Sequence, residues 1–175
     1  MGASDWEYFV KYQPDIEMAF RELQQATFDS GDYYLVKLDL PATVEEYVEQ
    51  YSSMYPDGEE EWLRESYREL KERYSKPEPT TIDELIQWNA ESGTHSIIDI
   101  SYFSDDPTSN AVFTVIPLSD EQLLNLFGTT KPTREMILEN AQTIRNLQRR
   151  SQGTYIVVYE NDEPSEIYFG GYSGD

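Results

Sequence analysis

The chain has 175 residues and carries 34 acidic against 13 basic side chains, which gives a formal net charge of −21 at pH 7. Its length fits one domain, and 38% hydrophobic residues are enough for a core, which argues against global disorder. The absence of cysteine excludes disulfides, thiol nucleophiles and cysteine-ligated metal centres, and a single histidine excludes a multi-histidine metal site. We therefore expect no cofactor and no metal site.

The first elements in the chain are predicted to be two strands around one helix. Residues 8–12 are short and aromatic and predict a strand, and a helix is predicted over residues 15–29 from the helical spacing of its apolar positions. Gly31 suits the end of that helix. Residues 33–38 predict a second strand.

Two acidic helices are predicted next. Thr43 followed by Glu46 is a capping-box pattern and predicts the start of the first helix. Asp57 with Glu60 predicts the start of the second, which extends to about residue 74. Residues 76–80, Lys-Pro-Glu-Pro-Thr, predict a stiff connector and are the best candidate for an internal boundary. The parts on either side have too few core residues to fold alone, so one domain is expected.

The middle of the chain predicts a short helix followed by a hairpin. Thr81 and Glu84 form another capping pattern, and the helix behind them is expected to end by Gly93. Residues 95–103 and 111–116 predict two strands joined by a polar loop. We expect these two strands to pair as a long-looped antiparallel hairpin.

The last third predicts two helices and a second hairpin. Ser119 caps a short helix that Gly128 ends. A longer helix is predicted from Pro132 and Thr133 to about Gly153, and its inner face is formed by Ile137, Ala141, Ile144 and Leu147. Two strands, residues 155–159 and 166–169, flank an Asn-Asp-Glu-Pro turn, and residues 170–175 are expected to form a flexible tail.

The interspersed elements predict the fold class. Strict alternation of strand and helix is absent, and two adjacent strand pairs are expected to be antiparallel. We therefore predict a single α+β domain over residues 1–175, with helices packed on an antiparallel or mixed sheet.

His95 is the natural candidate for a general base near neutral pH. If residues 95–103 form a regular strand, Asp99 lies on the same side, but the two Cα atoms are about 13 Å apart. A direct hydrogen bond is not available at that separation. A structural role for His95 is therefore favoured, and a catalytic role is the alternative.

Other classes of site have weaker signals. The acidic pairs Asp105-Asp106 and Asp162-Glu163 lack the spacing of a calcium-binding loop, and no glycine-rich phosphate motif is present. The fourteen tyrosines are either core residues or part of a recognition surface that combines tyrosines with carboxylates.

The net charge is the main guide to partners. It disfavours direct binding to nucleic acid and to anionic membrane surfaces. A charge of this size either only keeps the protein soluble or also attracts a basic protein partner. We predict a non-enzymatic, immunity- or inhibitor-like protein that contacts its partner through the helical region 43–76, including Glu59, Glu60 and Glu61. The alternatives are a small-ligand-binding protein or enzyme that uses His95 with nearby carboxylates or tyrosines, and a mimic of DNA charge. The N-terminal residues show no targeting pattern, so a cytoplasmic location is expected.

Two stretches resemble a group of uncharacterised bacterial proteins. They are the opening, with Met1-Gly2-Ala3, Trp6, Tyr8-Phe9-Val10 and Tyr12-Gln13-Pro14-Asp15, and the run Gly93-Thr94-His95-Ser96-Ile97-Ile98-Asp99-Ile100. The resemblance implies a bacterial, intracellular protein. It implies no activity and no site residues.

Overall fold

The computed structural model describes residues 4–55 and 60–173. Its strands are β1 (Asp5–Lys11), β2 (Tyr102–Phe103), β3 (Thr114–Pro117), β4 (Gln152–Glu160) and β5 (Glu163–Tyr172). Its α-helices are α1 (Ile16–Ser30), α2 (Val44–Tyr51), α3 (Glu60–Tyr74), α4 (Ile82–Trp88), α5 (Asp120–Phe127), α6 (Arg134–Glu139) and α7 (Ala141–Leu147). Two short 3₁₀ segments lie at Ser52–Met54 and Ile97–Asp99.

The five strands form one mixed sheet in the order β1-β5-β4-β3-β2. The pairs β1–β5 and β4–β5 are antiparallel, whereas β2–β3 and β3–β4 are parallel. The α+β prediction is confirmed, and of the two sheet types expected the mixed one is present. The order leaves β1 at one edge of the sheet.

Side chains alternate across the strands, so the sheet has an apolar core on each face. On one face, Phe20 of α1 and Ile97 pack with Phe169 of β5. On the other face, Ile137 of α6 and Tyr168 of β5 belong to a second cluster. The helices therefore cover both faces of the sheet, with α1 on one and α6 and α7 on the other.

Helices α2 and α3 have a cluster of their own, which contains Tyr47, Val48, Leu63 and Tyr67. The Tyr47 ring lies 5.3 Å from the Tyr67 ring, and the Tyr67 hydroxyl donates to the Pro41 carbonyl oxygen at 2.9 Å. Both tyrosines are core residues, because both side chains are buried. The Tyr67 hydroxyl keeps a hydrogen-bond partner, which makes the burial of its ring more favourable.

Local capping signals were reliable guides to helix ends. Thr43 and Glu46 form both bonds of the predicted capping box, and Gly31 ends α1 in the left-handed conformation with φ 72°. Thr81 caps α4 through the Glu84 N–H, but the Glu84 carboxylate accepts from Thr80 instead of completing the box. The Asp57 start signal lies outside the described residues.

The strand predicted at residues 33–38 is wrong, because this segment forms no strand and joins no sheet. Several of its backbone groups bond to side chains instead: the Val36 N–H donates to the Asn89 Oδ1 atom at 3.2 Å, and the Trp88 indole N–H donates to the Val36 carbonyl oxygen at 2.9 Å. The buried Asn89 side chain also donates to the Tyr34 carbonyl oxygen. Satisfied backbone groups remove the need for a neighbouring strand.

The strand predicted at residues 95–103 and its antiparallel pairing are also wrong. The Ser96 hydroxyl caps the 3₁₀ turn at Ile97–Asp99, and only β2 remains extended. The backbone N–H groups of Ser101 and Tyr102 both donate to the Phe113 carbonyl oxygen at 2.9 Å. Residues 104–113 thus return the chain to the start of β2, so that β3 runs parallel to β2.

The long helix predicted after Thr133 is divided at Asn140 and ends at Leu147. The Asn140 side-chain amide donates to the Met136 carbonyl oxygen at 2.9 Å, and such side-chain bonding competes with the helical ladder. Ile137 and Ile144 are buried as predicted, but Leu147 is 47% exposed. The predicted flexible tail is wrong for residues 170–172, because β5 continues through Tyr172.

Candidate functional site

A depression of about 410 Å³ lies beside β1 and contains His95. Three segments that are distant in sequence form its walls: residues 5–8 of β1, residues 31–34 after α1, and His95 itself. The left-handed Gly31 turns the chain after α1, and the Tyr34 N–H then donates to the Thr94 carbonyl oxygen at 2.7 Å. This bond holds the second wall against the segment that carries His95.

His95 is half-buried and has a left-handed backbone conformation, with φ 55°. Its ring is stacked on the Tyr34 ring, with centroids 4.6 Å apart and planes 11° from parallel. Its Nε2 atom lies 3.1 Å from the Ser92 carbonyl oxygen. A left-handed non-glycine residue is strained, and such strain persists only where the surrounding contacts determine the conformation.

Asp99 supports the turn that presents His95. Its Oδ1 atom accepts from the Thr94 N–H at 2.7 Å, across the loop that the sequence suggested was a strand. Burial raises the pKa of the Asp99 carboxyl, and the hydrogen bonds from Thr94 and from the His95 backbone act in the opposite direction. The 13 Å Cα separation expected for a regular strand therefore does not apply to this turn. The Asp99 hydrogen bond goes to the turn backbone.

The ionisable groups of the depression, apart from His95, are carboxylates and phenols. Asp5, Glu7 and Asp32 are exposed, and no lysine or arginine is among the described lining residues. Arg145 approaches from α7 and forms an ion pair with Asp5. Burial, together with the nearby Asp32 charge, raises the pKa of Tyr8 to about 12, so its phenol stays protonated at neutral pH. The depression is therefore acidic and aromatic.

We expect Asp99→Asn to change the pH dependence of stability above the ordinary aspartate pKa of 3.8 and Asp106→Asn to change it below that value. The folded protein holds the Asp99 proton more tightly, so this group's stabilisation is lost as pH rises above 3.8 towards its folded pKa. Thr108 hydrogen bonds lower the pKa of Asp106, so its stabilisation is present above 3.8 and lost as pH falls through the folded pKa. Urea unfolding between about pH 3 and pH 7 measures both effects. Two variants that change the same pH interval would contradict these assignments.

A second, larger cavity of about 880 Å³ lies between the end of α3, the connector at residues 76–80 and α4. Its charged lining residues have both signs and include Glu72, Arg73, Lys76 and Glu84. Trp88 in its wall donates its indole N–H to a backbone carbonyl and packs edge-on against Tyr74. These contacts are structural, and the mixed charges favour no one class of ligand.

The acidic residues predicted as a binding surface are not among those that line the His95 depression. Glu60 and Glu61 are exposed in the first turn of α3, and Glu59 lies outside the described residues. Sequence reasoning identified His95 but missed Asp32 and Tyr34. No local pattern marks these two residues, because the turn after α1 and the loop before β2 meet only in the folded chain.

In residues 4–55 and 60–173, no group of three or more histidine, aspartate or glutamate side chains is arranged to hold a metal ion. Within the same part of the chain, no helix has the length and apolar character needed to cross a membrane.

Comparisons with models of protein families, with curated proteins and with solved structures found no match to this chain. Proposals about its activity therefore rest on its own residues and on their geometry. The acidic, aromatic depression beside β1 is the site with the most distinctive chemistry in the described residues.

Proposed function

We propose that this protein binds a basic protein partner, in the manner of an immunity protein or an inhibitor, and that it acts in the bacterial cytoplasm. The observation that carries this proposal is the depression beside β1, where the carboxylates of Glu7 and Asp32, and Asp5 paired with Arg145, lie with aromatic rings in the lining. No lysine or arginine is among the described lining residues. Carboxylates attract a cationic side chain, and aromatic faces attract it further through cation–π contact.

The charge of the whole chain supports the same proposal. The chain has 34 acidic against 13 basic side chains, so at least 21 carboxylates cannot pair one to one with a lysine or arginine. A large unneutralised charge accelerates the encounter with a basic partner and suppresses binding to nucleic acid.

Helices α2 and α3 are the weaker of the two candidate surfaces. Their basic side chains already have acidic neighbours: Arg64 lies 3.1 Å from Glu45, and Arg68 lies 4.0 Å from Glu61. Since these ion pairs neutralise part of the negative charge on α2 and α3, a basic partner gains less binding free energy there. Glu60 and Glu61 remain the secondary surface of the proposal.

A small-ligand-binding protein or an enzyme is the second candidate, and the position of His95 favours it. The His95 ring stacks on Tyr34 inside a depression, an arrangement that can hold a planar cation. In this case, small guanidinium or amine compounds should raise the melting temperature of the wild type and not of a His95→Ala variant. A thermal-shift screen with both proteins tests it.

The test of the main proposal uses two variants that remove equal charge from different surfaces. The full chain, a Glu7→Gln/Asp32→Asn variant and a Glu60→Gln/Glu61→Gln variant are each used to capture proteins from bacterial lysate at low salt. We expect the wild type and the α3 variant to retain a basic partner and the depression variant to lose most of it. Captured proteins are identified by mass spectrometry.

Equal losses from both variants would indicate general polyanion adsorption rather than a specific surface. Failure of all three proteins to retain any basic partner would contradict the proposal. Competition with duplex DNA tests whether the protein is a mimic of DNA charge. If it is, duplex DNA should release the captured partner from this protein.

A further inference from the structure

The open edge of β1 is the feature from which a more specific inference follows. Backbone bonds beyond the two ends of this strand run from the Ser173 N–H to the Ser4 carbonyl oxygen and from the Tyr12 N–H to the Ser165 carbonyl oxygen. In an antiparallel pair, hydrogen-bonded and non-hydrogen-bonded positions alternate. The even-numbered residues of β1 therefore direct their backbone groups towards β5.

The odd-numbered residues direct their N–H and C=O groups away from the sheet. These residues include Asp5, Glu7 and Phe9, which are paired in register with β5 but lie at non-hydrogen-bonded positions. In the described part of the chain, no strand and no other backbone group bonds to this side of β1. A strand edge with unpaired backbone groups is a template for another extended segment.

The depression runs along this edge. Successive strand side chains point to opposite faces, yet the consecutive residues Asp5, Trp6, Glu7 and Tyr8 all line the depression. Four consecutive residues can line one depression only where it follows the edge of the strand. Residues 31–34 and His95 line the same depression.

The charges around the edge indicate the chemistry of the occupant. Glu7 and Asp32 are exposed carboxylates in the lining, Asp5 is exposed but paired with Arg145, and the stacked rings of Tyr34 and His95 line the same depression. A second copy of this chain would bring two strongly acidic molecules together. A basic extended segment complements the same carboxylates and would place its side chains near the rings.

We propose that the open edge of β1 receives an extended, lysine- or arginine-containing segment of the basic partner by strand addition. In this arrangement, backbone hydrogen bonds from Glu7 and Phe9 provide affinity, and the carboxylates provide selectivity for basic side chains. The inference rests on the proposed function, which it extends by naming the surface and the form of the bound segment.

The test uses a seven-residue peptide that alternates lysine with valine, matched to the length of β1, and a control that alternates glutamate with valine. Fluorescence anisotropy with the full chain should show binding of the lysine peptide alone, weakened at about 0.3 M salt. Amide hydrogen exchange should show new protection at Glu7 and Phe9. Tyr8 should change little, because its N–H already faces β5.

Two substitutions at one position separate charge from backbone bonding. Glu7→Gln removes only the charge and is expected to weaken binding about two- to fivefold. Glu7→Pro also removes the outward N–H and is expected to weaken binding about tenfold or more. Proline is tolerated on an edge strand where its nitrogen faces solvent, and circular dichroism checks that the sheet is retained.

Four outcomes would overturn this inference. If the lysine peptide binds but protects amides elsewhere, or if Glu7→Pro binds as well as Glu7→Gln, the edge is not the site, although a basic partner remains possible. If Glu7→Pro instead abolishes a concentration-dependent dimer in analytical ultracentrifugation, the occupant is a second copy. If the lysate experiment yields a basic partner that Glu7→Pro still binds fully, the proposed function stands without strand addition.

Discussion

Replacement of Trp6 by alanine is expected to lower the free energy of unfolding by about 3–5 kcal/mol. Trp6 is 6% exposed, and it lies in the apolar cluster between the sheet and α1 together with Phe20 and Phe169. The change removes a large buried ring and leaves a cavity that the surrounding strands can fill only in part. Urea unfolding followed by circular dichroism measures the loss.

Trp62→Ala is the matched control for this prediction. Trp62 is 51% exposed on α3 and contacts Tyr55, with ring centroids 5.1 Å apart. Its replacement removes the same side chain from a surface position, so we expect a change of about 0.5 kcal/mol or less. Equal losses from the two variants would show that Trp6 does not anchor the core.

The second large effect is expected from Gly171→Ala, at about 1–3 kcal/mol of destabilisation. Trp6, Gly171 and Gly153 are consecutive partners across β1, β5 and β4, and the indole ring lies over both glycines. A Cβ atom at position 171 would lie 2.6 Å from the Gln152 backbone oxygen and closer still to the Trp6 ring. The backbone contact cannot be relieved by a side-chain rotation.

Gly153→Ala provides the comparison. A Cβ atom at this position would lie 2.8 Å from the Trp6 Cη2 atom, and its nearest backbone neighbour is 3.4 Å away. We expect a smaller loss than at position 171, and we expect Trp6→Ala to relieve most of it in the double variant. The Gly171→Ala loss should persist in that background. If Trp6→Ala relieves the Gly171→Ala loss and not the Gly153→Ala loss, the ring and not the backbone limits the space at position 171.

Elements with local signals could be predicted from the sequence. The caps at Thr43, Ser119 and Thr133 bond to backbone N–H groups three residues further along the chain, and the turn before β5 joins adjacent strands. Such contacts form among neighbouring residues, so their sequence patterns are sufficient to identify them. The acidity of the protein is likewise a property of composition.

The predictions are wrong where contacts between residues distant in sequence determine the conformation of the backbone. The segment at residues 33–38 joins no sheet, and Trp88 and Asn89, more than fifty residues away, bond to its backbone instead. The direction of β3 relative to β2 depends on the path of the loop at residues 104–113, whose last residue, Phe113, bonds to the backbone at the start of β2. Neither contact leaves a periodic pattern in the local sequence.

The fold class, most helix positions, the net charge and the candidacy of His95 follow from composition and from local sequence patterns. The edge position of β1, and the depression beside it that joins residues 5–8, residues 31–34 and His95, depend on long-range packing. The physical reason is that composition and short-range hydrogen bonds are encoded locally. A sheet edge and a cavity exist only once long-range pairing has selected one order of strands.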